Sequence, residues 1–134
     1  MTTPGGRRGN ANVGDGGYGR PMRVVDMDGP GGGWRVLVPE TRRERMRGLR
    51  DRPPPGPREA MLLPRCRSIH TFGMRQTISV AFLDRTMRVI EVRRCRPRRI
   101  VNARRSDARH ALECAVRWQP RIGDRFSRAV PAGR

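Results

Sequence analysis

The stretch Ser68-Ile69-His70-Thr71-Phe72-Gly73-Met74-Arg75, followed by Ile78-Ser79-Val80-Ala81-Phe82-Leu83-Asp84, decides the architecture of this chain. Its alternation predicts two short strands, since successive side chains of a strand point to opposite faces. In residues 68–74, His70, Phe72 and Met74 share a face. In residues 77–83, Ile78, Val80 and Phe82 face one way and Thr77, Ser79, Ala81 and Leu83 the other. Residues 84–87 then turn the chain into a strand at 88–92, so that 77–83 and 88–92 read as a β-hairpin.

Outward from that hairpin the pattern is of short strands with short connections. Trp34, Val36 and Val38 share one face of a first strand that Pro39 stops. Thr41-Arg42-Arg43-Glu44 is a capping box: the Thr41 hydroxyl accepts from the Glu44 amide and the Glu44 carboxylate reaches back. A short helix is expected over 42–49, with Arg45, Met46 and Leu49 on neighbouring turns and Gly48 near its end. Residues 53–57, Pro-Pro-Pro-Gly-Pro, form a stiff extended connector. The apolar run Ala60-Met61-Leu62-Leu63 reads as buried on both sides, and Leu112, Cys114 and Val116 alternate like a strand. Arg121-Ile122-Gly123-Asp124 reads as a turn into a last strand from Arg125. The elements add up to an α+β domain: a small, curled, mainly antiparallel sheet, barrel-like, with one short early helix.

Composition bounds the rest. Residues 1–33 hold 11 of the 16 glycines and few large apolar side chains, so they read as a disordered arm that cannot offset its ordering entropy. The domain is expected over 34–128, with 129–134 a tail. All 30 basic residues are arginine, against 12 acids. That excess reflects either coding bias towards arginine codons or an anion-binding surface. The three cysteines, an odd count, argue against a disulfide framework and for a reducing, cytoplasmic setting. No signal-peptide pattern follows Met1, and no stretch approaches the ~20 apolar residues of a membrane helix.

The order of motifs resembles a bacterial and archaeal family known as domain of unknown function 192. The resemblance rests on Glu44-Arg45-x-x-Gly48-Leu49-x-x-Arg52, the apolar run 60–63, His70-Thr71-Phe72-Gly73-Met74-Arg75, Phe82-Leu83-Asp84, Leu112-Glu113 and Gly123-Asp124. It implies a fold and no reaction, because the family has no assigned activity. Three positions depart from the pattern. Ser79 stands where an aspartate is usual, Met87 where the hairpin turn carries glycine, and Cys114-Ala115-Val116 lacks a usual glycine. Glycine's role in such turns is to adopt positive φ, so the turn is expected to be strained at Met87.

Among residues able to carry chemistry, His70 points inward with Phe72 and Met74. It reads as a hydrogen-bonded core residue, or as a pocket residue partnered by Glu113 or Asp84. Glu113 lies opposite Leu112 and Cys114, beside Ala111 and Ala115, and is expected to pair with Arg45 in a buried ion pair. Cys66-x-x-x-His70 and His110-x-x-x-Cys114 mimic a zinc set. On a strand, however, His110 and Cys114 lie about 13 Å apart at ~3.3 Å per residue, so no metal site and no cofactor are expected. Neither Ser68 nor Ser79 is marked as an activated nucleophile. The candidate pocket or motif residues are therefore Arg45, Gly48, His70, Phe72, Met74, Ser79, Asp84, Glu113, Gly123 and Asp124. Arg93, Arg94, Arg96, Arg98, Arg99, Arg104 and Arg105 form a candidate polyanion-binding segment. Few aromatics are free to stack on bases, which argues against sequence-specific reading. The sequence supports first a binding or accessory module, second a non-specific nucleic-acid-binding protein. Least supported is a small hydrolase or metal-dependent enzyme centred on His70.

Overall fold

A computed structural model describes residues 22–129. In chain order the elements are β1 (Arg23–Gly29), β2 (Gly32–Val38), α1 (Arg42–Arg47), β3 (Glu59–Leu63), β4 (Ser68–His70), β5 (Ile78–Leu83), β6 (Val89–Cys95), β7 (Ile100–Asn102), β8 (His110–Ala115) and β9 (Ser127–Arg128). Seven strands make one sheet in the order β6-β5-β8-β3-β2-β1-β9, and β4 pairs with β7 in a separate two-stranded ribbon. All pairs are antiparallel except β2 with β3, which α1 connects as a crossover. This is the curled, mainly antiparallel α+β sheet with one early helix that the sequence implies.

The apolar strands lie at the centre. All six residues of β5 are buried, and so are Ala60–Leu63 of β3 and Ala111–Cys114 of β8. One face of the sheet packs Trp34, Val36, Leu62, Leu83, Leu112 and Phe126. The opposite face packs Leu49, Met61, Ile69, Val80, Phe82 and Val101 under the end of α1 and the β4–β7 ribbon. The sheet curls because residues 123–128 bind both of its edges. Gly123 and Phe126 donate to Val89 and Met87 carbonyls beside β6, at 2.8 and 3.0 Å, while β9 pairs with β1. Phe126 inserts between them and meets Trp34 edge-on, with ring centroids 5.0 Å apart.

Part of the expected arm is instead structure. Residues 23–29 are β1, paired along its whole length with β2, and the glycines that suggest disorder form the hairpin turn between them. Gly31 and Gly32 adopt φ of 81° and 130°, and a Cβ on Gly29 would come within 2.7 Å of the Phe126 ring. Only Met27 of β1 is buried, so counting apolar residues misses a strand held by backbone hydrogen bonds. The body therefore starts by residue 23, not 34. At its far end the Ala129 N–H donates to the Asp26 carbonyl, inside the expected tail. The remainder of the arm and tail, residues 1–21 and 130–134, lies outside the described residues.

The expected strand 68–74 is also shorter. It stops at His70, because Thr71 turns the chain: its hydroxyl donates to the Arg96 carbonyl (2.6 Å) and accepts from the Arg99 N–H (2.9 Å). Gly73, at φ 84°, lies against the Arg50 side chain. Phe72 is consequently 47% exposed rather than part of the core. The capping box forms as read, with Thr41 Oγ1 accepting from Glu44 N at 3.1 Å and Glu44 Oε1 accepting from Thr41 N at 3.4 Å. The helix ends at Arg47, earlier than 49, because Gly48 takes φ 52° and ψ −132°.

The 84–88 turn is a three-residue loop closed by the Asp84 N–H on the Arg88 carbonyl at 2.9 Å. Asp84 Oδ1 accepts from the backbone N–H of Thr86 (2.8 Å) and Arg88 (3.1 Å), and Met87 sits at φ 67°. A side chain in that left-handed region costs about 1–2 kcal/mol. Met87→Gly should stabilise the domain by up to about 1 kcal/mol, after the greater unfolded-state entropy of glycine is counted. Urea unfolding checks this, and a clear loss of stability would mean that the Met87 side chain contributes more by packing than its backbone loses.

Candidate functional site

Glu113 projects from β8 on the face opposite Leu112 and Cys114, opposite Met61 of β3 and Val80 of β5 in register. It is 4% exposed. The end of α1 is built around it. Gly48 carries no Cβ where one would lie 3.2 Å from Glu113 Oε2, and its positive φ is open to glycine at little cost. The turn lets the Leu49 N–H donate to the carboxylate. Gly48, Leu49 and Glu113, far apart in sequence, thus form one contact.

The expected ion pair with Arg45 does not form. Arg45 Nη2 donates instead to the Pro64 carbonyl at 2.7 Å. Among the described residues no arginine lies within ion-pair distance of Glu113. The helix stops two residues after Arg45, and the Leu49 N–H just beyond its end reaches the carboxylate instead. Burial pushes the Glu113 carboxyl up from 4.5 to about 7, with only the Leu49 hydrogen bond opposing it.

Glu113 borders a cavity of about 410 Å³ between the end of α1, β4 and β8. Arg45, Gly48, His70, Phe72 and Met74 also line it, so six of the ten candidate pocket residues come together. His70 is half-buried, its ring 5.7 Å from that of Phe72, and its Nδ1 has no hydrogen-bond partner among the described residues. It is therefore a pocket residue and not a satisfied core histidine. Leu49, Leu63, Ile69 and Ile78 supply apolar walls, and Arg42 and Arg47 join Arg45 at the mouth. Of these, Leu49 was legible as part of the Gly48-Leu49 motif, whereas nothing in the pattern marked Arg42 or Ile69.

The other candidates lie elsewhere. Ser79 is on the opposite sheet face, where its hydroxyl donates to Gln119 Oε1 at 3.0 Å. Neighbouring Cys114 is buried, which pushes its thiol up to about 12. Asp84 is occupied in its own turn and does not partner His70. Gly123, at φ 99°, and Asp124, whose Oδ2 accepts from Arg121 N at 2.7 Å, build the turn before the last strand. His110 and Cys114 both stand on the strand β8, and His110 Nδ1 accepts from the Arg65 N–H at 3.0 Å.

Within the arginine segment, Arg93 bonds Glu91 Oε2 at 3.1 Å, and the Arg104 and Arg105 N–H groups donate to Glu91 Oε1. Burial pushes the Glu91 carboxyl up, but these three donors together outweigh it and hold the group below its ordinary value. Arg105 pairs with Asp107 at 3.0 Å. The side chains of Arg94, Arg96, Arg98, Arg99, Arg104 and Arg105 are exposed, along and beyond the edge strand β6.

The DUF192 family, described as an uncharacterized ACR, has a model that matches residues 24–125. The chain belongs to this family. Its start at residue 24 agrees with β1 rather than with an arm to 33. No curated protein matches the chain. Two crystal structures share the fold at 18% identity and a TM-score of 0.63. One, from Sinorhizobium meliloti, is described as a "putative transcription regulator"; the match covers 78% of this chain and 92% of that one. The other is a protein of unknown function from Novosphingobium aromaticivorans; here the match covers 92% of this chain and 99% of that one. At this identity the likeness is one of fold alone.

Glu113 gives this DUF192 domain a signed pH dependence. Because its folded-state value is raised, the unfolded chain ionises first. Its contribution to stability is fully present below about 4.5 and is lost as pH rises towards about 7. The loss amounts to roughly 3 kcal/mol at ~1.4 kcal/mol per unit. Glu113→Gln keeps an acceptor for Leu49 and removes the charge. Its stability relative to wild type should therefore improve by that order between pH 4 and pH 8 in urea unfolding. An offset that does not change with pH would show that Glu113 titrates normally.

Proposed function

We propose that this domain is a ligand-binding module whose site is the cavity between α1, β4 and β8. The observation that carries the reading is the Glu113 carboxyl, buried and without a basic partner among the described residues, at the wall of a cavity of about 410 Å³. A folded protein rarely leaves such a group uncompensated. An apolar cavity with a few convergent polar groups is the usual form of a small-molecule site. Binding without reaction is favoured because no hydrogen bond joins His70 to Ser68 or Ser79, and Ser79 faces the other core. Arg, His and carboxyl groups at a cavity suffice for recognition. The three cysteines are free thiols, which supports a cytoplasmic setting.

A second reading, non-specific binding of nucleic acid or another polyanion, has its own support in the exposed arginines of the β6 edge and the segment after it. Charged side chains on an edge strand also keep sheets from joining edge to edge, so this surface has a structural use without any ligand.

Crystals soaked with a fragment library test the first reading: fragments should collect against Glu113 and His70. A cavity left empty while fragments gather elsewhere would overturn it. If RNA binding that weakens steeply between 50 and 200 mM salt, as expected of counterion release, were the one activity found, the second reading would replace the first.

A further inference from the structure

The cavity has an ordered polarity. At its inner end is Glu113, with the Leu49 N–H as the donor that reaches it. A carboxylate has room for about four hydrogen bonds. The chain contains 30 arginines, yet none pairs with this group among the described residues. Arg45, the partner expected from the family pattern, is engaged by the Pro64 carbonyl. Between the inner end and the mouth the walls are aliphatic, formed by Leu49, Leu63, Ile69 and Ile78. At the mouth stand Arg42 and Arg45, both exposed, with Arg47 half-buried and with the acid Glu40, which pairs with Arg23 at 3.7 Å. None of Arg42, Arg45 and Arg47 is held in an ion pair among the described residues.

Resting on the reading of this cavity as a ligand site, we propose that it takes an ω-amino carboxylate. The primary ammonium sits on Glu113, the aliphatic spacer lies along the apolar walls, and the carboxylate meets the arginines at the mouth. Each simpler ligand leaves one end wrong. A plain amine satisfies Glu113 but offers no anion to the three lining arginines. A fatty acid satisfies the arginines but lays its tail against an unpaired carboxyl, which is costly in a site of low dielectric. An anion seated inward would set two acids side by side. A cavity of about 410 Å³ falls in the range of small-molecule sites and accommodates a six-carbon chain with both end groups. His70 also lines the cavity, its ring tilted against that of Phe72.

Isothermal titration of the full chain with 6-aminohexanoate, hexylamine and hexanoate at one pH and low salt tests this. 6-Aminohexanoate should bind more tightly than either single-ended probe, and Glu113→Gln should weaken it at least tenfold, as expected for loss of one partner of a buried charge pair. Arg42→Glu, at an exposed site that does not threaten folding, should weaken 6-aminohexanoate while leaving hexylamine equal or stronger. Hexanoate binding as tightly as 6-aminohexanoate would overturn the proposal. So would indifference of 6-aminohexanoate to both variants, or no binding of it at all. If soaked fragments still fill the cavity in those cases, the ligand class has failed and the site stands. If the cavity also stays empty, both have failed.

Discussion

Burial of three neighbouring strands on both faces is the constraint from which the rest of this domain follows. β3, β5 and β8 present apolar side chains to either side, so each face needs its own cover. One cover is the sheet itself. It curls until residues 123–128 bind β6 on one side and β1 on the other, sealing Phe126 against Trp34. The other is assembled from parts, the end of α1 and the β4–β7 ribbon. The first cover is continuous. The second has a gap between its parts, and the gap is the cavity.

Glu113 lies where that second cover is thinnest. Removing a carboxylate from water costs several kcal/mol, and a single backbone hydrogen bond to a charged group returns about 1.5–3 kcal/mol. The bond from Leu49 therefore falls short, and the group responds by holding its proton to about pH 7. Glu91 makes the contrast. It is nearly as buried, but three donors converge on it and it stays an ordinary anion. Glu91 fastens the loop at 104–105 to β6, whereas Glu113 is left with unused capacity facing a cavity. That difference separates a structural carboxylate from a candidate ligand contact.

Much of this was legible in the residues. Alternation in 77–83 and in Leu112, Cys114 and Val116, the continuous run at 60–63 and the Thr41–Glu44 box each specify their element locally, and each formed, except that β8 ends at Ala115 and Val116 opens a short 3-10 turn. What failed was information held outside the segment. β1 has a single buried side chain and is held by pairing to β2 and β9, so its glycines resembled an arm. Residues 71–74 alternate like a strand, but Thr71 bonds a loop some 25 residues later, and that turns the chain. For the site, the motif residues Gly48 and Glu113 could be singled out, but their contact could not. The Arg45 pairing followed from charge and from both residues belonging to the family pattern, and Arg45 bonds the Pro64 carbonyl instead. Ser79 was singled out because it stands where the family has an aspartate, and strand alternation sends it to the core opposite His70.

The central claim is that the Glu113 carboxyl is buried beside an open cavity with no cation among the described residues to hold it ionised. Carbon-13 NMR titration of the glutamate side-chain carboxyls, with Glu113 assigned by its loss in Glu113→Gln, measures this directly. A midpoint near 7 is the predicted result. A midpoint at or below the ordinary 4.5 would mean that a positive group or water already satisfies the carboxylate, and the cavity would then have no unmet partner to offer a ligand.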